Sequence, residues 1–293
     1  MNNKRPLISV IMNCYNSGEY LREALDSVLA QTFSDWEVIF WDNQSNDDSA
    51  SIFKSYEDKR LCYHCAPEYT VLGHARNLAV EQAHGEWVAF LDCDDLWSPD
   101  KLTKQIEIIQ LEGSDLGLVY GHMKMLLQEG SGSNTGWGKL MHAHKQGRIR
   151  QHLPEGNIFP ELLKENFVPL LSCMVLRSAY WQSGGIDPKL KQAEDYDLFV
   201  KVSKDFRVRA VQEVVCSYRI HGSNLSHSQL EDNYREAISI VSKYLPGDDA
   251  KKGIRSHQTA FAVTQIRKGY ILGGLRRLLF HGEALTLIRK FFR

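Results

Sequence analysis

Three carboxylates in the run Phe90-Leu91-Asp92-Cys93-Asp94-Asp95 directly follow the apolar stretch Glu86-Trp87-Val88-Ala89-Phe90-Leu91. Charge at the end of a buried strand is costly without a partner. With the backbone extended past Leu91, the two-residue alternation of a strand sets Asp92 and Asp94 on one side. There, two hard oxygen ligands could hold a divalent cation against phosphate. The same residues also suit an acidic strand-to-loop turn, with Asp95 placed to cap a following helix, since Asp is a common turn former and helix cap. Taken alone, the cluster fits both equally.

The elements that must position these residues are legible on either side. Leu7-Ile8-Ser9-Val10-Ile11-Met12 and Glu37-Val38-Ile39-Phe40-Trp41 are continuous apolar runs rather than alternating ones, as expected of strands covered on both faces of a parallel sheet. Between them, Tyr20, Leu21, Ala24, Leu25, Val28 and Leu29 recur at three-to-four spacing, which predicts a helix over residues 19–31. Leu78, Ala79 and Ala83 predict another before the Glu86 strand, giving the alternation of an α/β fold with a mostly parallel sheet. Such sheets bind ligands beyond the carboxyl ends of their strands, where Tyr15, Asp42, Asn43, Asp92 and Asp94 would converge.

Further along, Leu116-Gly117-Leu118-Val119-Tyr120 and Cys173-Met174-Val175-Leu176-Arg177 read as strands, the Asp195 segment as a helix start, and everything from Leu230 as helical. The glycine-rich passage over residues 129–138 lacks periodicity and is expected to be a loop. These marks divide the chain into residues 1–120, residues 121–228 and a helical C-terminal extension (229–293).

With 293 residues, 43% of them hydrophobic, the chain can bury a full core. It has no apolar run near the roughly 18 to 20 residues of a membrane span, and its first residues lack the apolar segment of a secretory signal, so a cytoplasmic location is expected. Cys14, Cys93, Cys173 and Cys216 lie in apolar contexts where free thiols pack as small hydrophobes, while the Cys62-Tyr63-His64-Cys65 pair lacks the second pair a zinc site needs. No nucleic-acid partner is expected.

At these residues the chain resembles the family 2 glycosyltransferases of the GT-A, Rossmann-like fold. The likeness rests on residues 8–16 (ISVIMNCYN), Gln31-Thr32-Phe33-Ser34-Asp35-Trp36-Glu37, Ala75-Arg76-Asn77 with Gly85-Glu86, and the Asp92–Asp95 cluster. Gly184-Gly185-Ile186-Asp187-Pro188 and Ala193-Glu194-Asp195-Tyr196-Asp197-Leu198 then match the region that holds the catalytic base. The resemblance covers about the first 225 residues and implies that residues 1–120 are the nucleotide-binding half and residues 121–228 the acceptor half. It implies transfer of a sugar, with inversion, from a nucleotide diphosphate donor, UDP-linked first of all, to a hydroxyl of a saccharide or lipid-linked saccharide. Capsule or cell-envelope polysaccharide assembly is the setting that family analogy offers. Asp94 would hold Mn2+ or Mg2+, and His221, in Ser217-Tyr218-Arg219-Ile220-His221, matches a segment that approaches the metal in some relatives. Asp195 would be the base, with Glu194 and Asp197 able to raise its pKa by like-charge repulsion. Tyr15 would stack on the nucleobase, while Asn13, Asp42, Asn43, Arg76, Asp92 and Cys93 would complete the donor site.

Several positions depart from the pattern. Asp42-Asn43 stands where two acids are usual, Gln44 where glycine is common and Asn13 where proline is frequent. In relatives the second acid contacts the pyrimidine imide; an Asn43 carbonyl could accept the same bond, but its amide also offers donors, so the nucleobase stays open. Arg76 could face a phosphate or pair with an acid. The other histidines, His142 and His144 among them, lack ligand spacing, and Trp137 could stack on a sugar. Two rival functions are a sugar-nucleotide nucleotidyltransferase, whose glycine-rich, lysine-bearing N-terminal loop is missing, and a silent nucleotide-sugar-binding protein, which would be expected to lose Asp94 or Asp195. No GxGxxG follows the first strand, which disfavours a dehydrogenase.

Charge is unevenly spread. Residues 267–293 hold seven basic residues and one acid, a net of +6, which leaves −7 on the rest of a chain whose total is −1. At 100° per residue, Ala284, Leu285, Leu287, Ile288, Phe291 and Phe292 share one arc opposite Arg289, Lys290 and Arg293. Such a helix suits the anionic cytoplasmic face of a membrane, and equally a seat on the catalytic domain.

Overall fold

The computed structural model describes residues 5–127, 150–222 and 230–280. The expected loop over residues 129–138 with Trp137, His142, His144, and the tail arc from Ala284 to Phe292 lie outside the described residues.

The apolar runs form strands. β1 (Ile8–Cys14), β2 (Trp36–Asp42), β3 (Leu61–Cys65) and β4 (Trp87–Phe90) run parallel in the order β3-β2-β1-β4. The sheet continues through β7 (Met174–Leu176), β6 (Leu116–Leu127), β8 (Arg207–Ile220) and β5 (Leu96–Trp97). β7 is antiparallel to both its neighbours, β6 and β8 pair in parallel, and β5 closes the edge antiparallel. This is a GT-A type α/β sheet flanked by helices. Among the described residues, the helices of ten residues or more are α1 (Gly18–Leu29), α2 (Leu72–Glu81), α3 (Lys101–Leu111), α4 (Glu194–Asp205), α5 (Leu230–Ser242), α6 (Asp248–Arg267) and α7 (Ile271–Phe280).

Alternation along each strand fills two core layers. Ile11, Ile39, Val88 and Phe90 pack with Ala75 and Ala79 of α2 and with Leu198 and Val202 of α4. Ile8, Val10, Val38, Phe40 and Ala89 pack on the other face with Leu21 and Leu25 of α1 and Leu102 and Ile106 of α3. Each Val, Leu, Ile or Phe among them contributes about 1.5–3 kcal/mol on burial, so a one-residue slip would forfeit both layers at once. Ala237, Ile240, Val241 and Ala250 join the first layer, so α5 and the start of α6 are built into the body's core. Gly85 has a physical reason as well: a Cβ there would lie 2.5 Å from the Ser9 backbone nitrogen.

Two local expectations are corrected. The chain does not stay extended past Leu91; it turns, with the Asp95 N–H donating to the Asp92 carbonyl at 3.2 Å, so strand alternation is not what places Asp92 and Asp94. Nor does Asp95 cap a helix. A strand, β5, follows it, and buried Asp95 accepts the Arg219 backbone N–H at 2.8 Å.

Candidate active site

One cleft of about 760 Å³ opens at the carboxyl ends of β1, β2 and β4. Its walls include Asn13, Tyr15, Asn43, Arg76, Asp92, Cys93, Asp94, Asp195 and His221, so nine of the ten residues singled out from the sequence meet there. Asp42 does not line it. That carboxylate is buried beneath, accepting the Ser45 N–H at 2.8 Å and the Tyr63 hydroxyl at 2.6 Å.

A buried ionic chain runs across the floor. Arg76 is 4% exposed and donates to Glu194 Oε1 at 2.6 Å and to Asp92 Oδ1 at 3.0 Å. Burial alone would lower its pKa, but Asp92, Glu194 and Asp195 outweigh burial and raise it. Of the two sequence alternatives for Arg76, the structure shows the pairing with acids, and that pairing lies in the cleft wall.

Asp195 opens α4 with Oδ1 accepting the Tyr196 N–H at 2.6 Å. Although part of its surface is open to the cleft, protein encloses it, and desolvation followed by the charge of Glu194 pushes its pKa up to about 7, against the opposing pull of Arg76. Asp197, the other expected contributor, faces away to Lys201 and Lys243 at 2.7 and 2.9 Å.

Opposite stands the acid turn. Asp94 Oδ2 and His221 Nε2 lie 2.9 Å apart. Desolvation and then the charge of Asp92 raise the Asp94 pKa, while His221 works against the rise. Arg219 clamps this turn: its Nε donates to the Asp94 carbonyl at 2.9 Å, its Nη2 to Glu23 at 2.8 Å, and its guanidinium lies over the Tyr20 ring. The Cys93 thiol is buried and donates to the Asn13 carbonyl at 3.4 Å, which ties the turn to the end of β1. Asn13 Nδ2 is itself buried without a hydrogen-bond partner.

At the mouth, Tyr15 is 51% exposed rather than packed at the strand end. Its ring lies 4.9 Å from that of Tyr69, a residue the sequence did not flag. Arg219 and Glu194 were also missed as site residues. A cation in an apolar strand such as β8 is the one signal that could have marked Arg219, because buried charge requires a partner.

Residues 9–162, just over half of the chain, match the family model described as glycosyl transferase family 2. The chain belongs to that family. A putative teichuronic acid biosynthesis glycosyltransferase of Bacillus subtilis, TuaG, is 32% identical over 78% of this chain and 85% of its own length. The Escherichia coli UDP-Glc:alpha-D-GlcNAc-diphosphoundecaprenol beta-1,3-glucosyltransferase WfgD is 26% identical over 78% of this chain and 83% of its own. In fold, the chain is similar to the mannosyltransferase PcManGT from Pyrobaculum calidifontis in complex with GDP-Man and Mn2+. The TM-score there is 0.64 at 19% identity, covering 97% of this chain and 81% of that one. The family 2 chain is thus a glycosyltransferase of the GT-A fold.

Proposed function

We propose that this family 2 enzyme transfers a sugar, with inversion and metal dependence, from a UDP-sugar to a hydroxyl of a saccharide or lipid-linked saccharide. The observation that carries this is the meeting, in one cleft, of a carboxylate held near neutrality, Asp195, with the Asp94–His221 pair.

The donor set fits a divalent cation. Asp94 presents a hard carboxylate oxygen to the cleft, and His221 Nε2 stands 2.9 Å from it, so these two residues would hold the ion. Among the described residues no group of three His, Cys, Asp or Glu side chains is placed to hold a metal ion, so Asp94 and His221 would need ligands from the donor and water to complete a shell. The charge balance points the same way. Seven carboxylates line the cleft (Glu19, Asp92, Asp94, Asp95, Glu165, Glu194 and Asp195) against the three cations Arg76, Arg150 and Lys191, so a diphosphate would enter an already acidic cleft. A Mn2+ or Mg2+ ion held by Asp94 and His221 would offset the charge growing on the leaving diphosphate.

The protein's own groups do the rest. Asp195 accepts the proton of the attacking hydroxyl, and one carboxylate acting on one face of the sugar gives inversion. Arg76 joins Asp92 on the donor side to Glu194 beside the base, which fixes both sides of the cleft to one another. Asn13 Nδ2 is a buried donor that a ligand oxygen would satisfy. WfgD, by its name, uses a UDP-sugar and a lipid-linked acceptor, which supports the same pair here. A thermal-shift panel of nucleoside diphosphates with and without Mn2+ tests the donor class. UDP with Mn2+ should give the largest rise in melting temperature; no rise with any of them would defeat the proposal.

The base sets the pH dependence. Asp195 must be ionised to take a proton, so transfer at saturating substrate should climb as pH rises through about 7 and level off above it. A rate already flat from pH 5 upward would contradict this role.

The C-terminal helices are proposed to rest on an anionic membrane surface. α7 packs on α6 through Leu278 against Ala262, with Ile266 alongside. It leaves Ile271, Leu272 and Leu275 exposed beside Tyr270, with Leu272 at 85%. No helix among the described residues is long and apolar enough to cross a membrane, so the contact would be peripheral. Full-length protein should co-sediment with phosphatidylglycerol vesicles in a salt-sensitive way, and a truncation after Gly269 should not. Absence of binding by the full chain would reject the membrane contact.

A further inference from the structure

We propose that Asn43 and Gln44 staple the loop over residues 66–70 so that Tyr69 and Tyr15 together form the platform for the donor's nucleobase. This rests on the donor-site reading above. Asn43 holds the loop and does not read the base.

Both ends of the Asn43 amide bond one residue, Thr70. Its Nδ2 donates to the Thr70 carbonyl at 2.7 Å, while its Oδ1 accepts both the Thr70 N–H at 3.1 Å and the Thr70 hydroxyl at 3.3 Å. An amide oxygen has two lone pairs, so an incoming imide N–H finds no acceptor there. An acid at position 43 could not make the donating half of this pairing. Asparagine therefore suits a loop anchor, which accounts for the departure from two adjacent acids.

The far end of the loop is held by the neighbouring residues. The Ala66 N–H donates to the Asp42 carbonyl at 2.8 Å, and the Gln44 side chain donates to the Ala66 carbonyl. Gln44 adopts φ 70°, the left-handed region that favours glycine. Its side-chain bond to Ala66 gives a reason for glutamine where the backbone alone would prefer glycine. Three consecutive residues from the last of β2, Asp42 to Gln44, thus grip both ends of a loop that carries Tyr69.

Tyr69 is 58% exposed, and its ring stands 4.9 Å from that of Tyr15 at an interplanar angle of 59°. Both rings line the cleft beside Asn43. Two exposed aromatic rings at a cleft mouth offer a stacking surface that tolerates any base.

The test is calorimetric titration of UDP, CDP, GDP and ADP, each with Mn2+, into the full chain and its variants. Tyr69→Ala should weaken UDP about tenfold and Tyr69→Phe little, the scale of one lost stacking contact. Asn43→Ala should weaken all four nucleotides by similar factors, and the double variant should bind no worse than the weaker single one. Amide exchange at Thr70 gives a ligand-free measure: Asn43→Ala should accelerate it at least tenfold in a protein that otherwise stays folded. The proposal is overturned if Tyr69→Ala leaves UDP affinity unchanged, or if Asn43→Ala loses UDP selectively with Thr70 protection intact. If the parent binds no nucleoside diphosphate, the donor-site reading falls and the platform with it. Thr70 exchange still decides whether Asn43 anchors the loop.

Discussion

Asp195→Asn should slow transfer about a hundredfold or more while leaving UDP affinity within a few-fold, because it removes a proton acceptor without touching the donor side. The same substitution should stabilise the fold at alkaline pH. In the folded protein the Asp195 pKa stands near 7, above its ordinary 3.8. A group raised in this way contributes its stability below the unfolded value and loses it as pH rises through the folded one. The melting temperature of Asp195→Asn should therefore exceed that of the parent at pH 8, with the gap closing toward pH 4. A carboxylate that costs stability where it is ionised is what a base in a desolvated cleft requires. Loss of UDP binding in this variant, with unchanged turnover of bound donor, would instead place Asp195 in the nucleotide site.

The second large effect is expected at the acid turn. Asp94→Asn keeps the size of the side chain but removes the charge that would hold a cation opposite His221. Transfer should fall about a hundredfold or more, and the stimulation of UDP binding by Mn2+ should disappear. Arg219→Met should act on the same turn indirectly. It takes the Nε donor away from the Asp94 carbonyl, so Mn2+ dependence should shift to higher concentration. Full activity of Asp94→Asn, or full activity of the parent in chelator, would sink the metal assignment.

The parallel half of the sheet was legible because β1, β2 and β4 are covered on both faces, and two-sided burial writes a continuous apolar run into the sequence. The acid turn and the Asp195 helix start were legible for a related reason: charged residues at the ends of buried elements stand out against their surroundings. What could not be read were pairings across long separations. Arg76 meets Glu194 from 118 residues away, and Arg219 meets Glu23 from 196. Those contacts depend on β7, β6 and β8 filing beside β4, an order no local pattern carries. The turn at Asp92–Asp95 was misjudged for the same cause, since a strand from the far end of the chain supplies the Arg219 N–H that Asp95 accepts. Tyr69 went unnoticed because one aromatic in a polar loop carries no periodicity; its loop is held by the Asn43 bonds to Thr70 at one end and by Asp42 and Gln44 bonds to Ala66 at the other.

The most direct measurement is calorimetric titration of UDP into the full-length protein in Mn2+ and in chelator, with Asp94→Asn alongside. Saturable binding to one site in Mn2+, at least tenfold weaker in chelator and equally weak in Asp94→Asn under both conditions, is the predicted result. No UDP binding, or binding indifferent to both the cation and Asp94, would contradict a metal-assisted nucleotide-sugar site in this cleft.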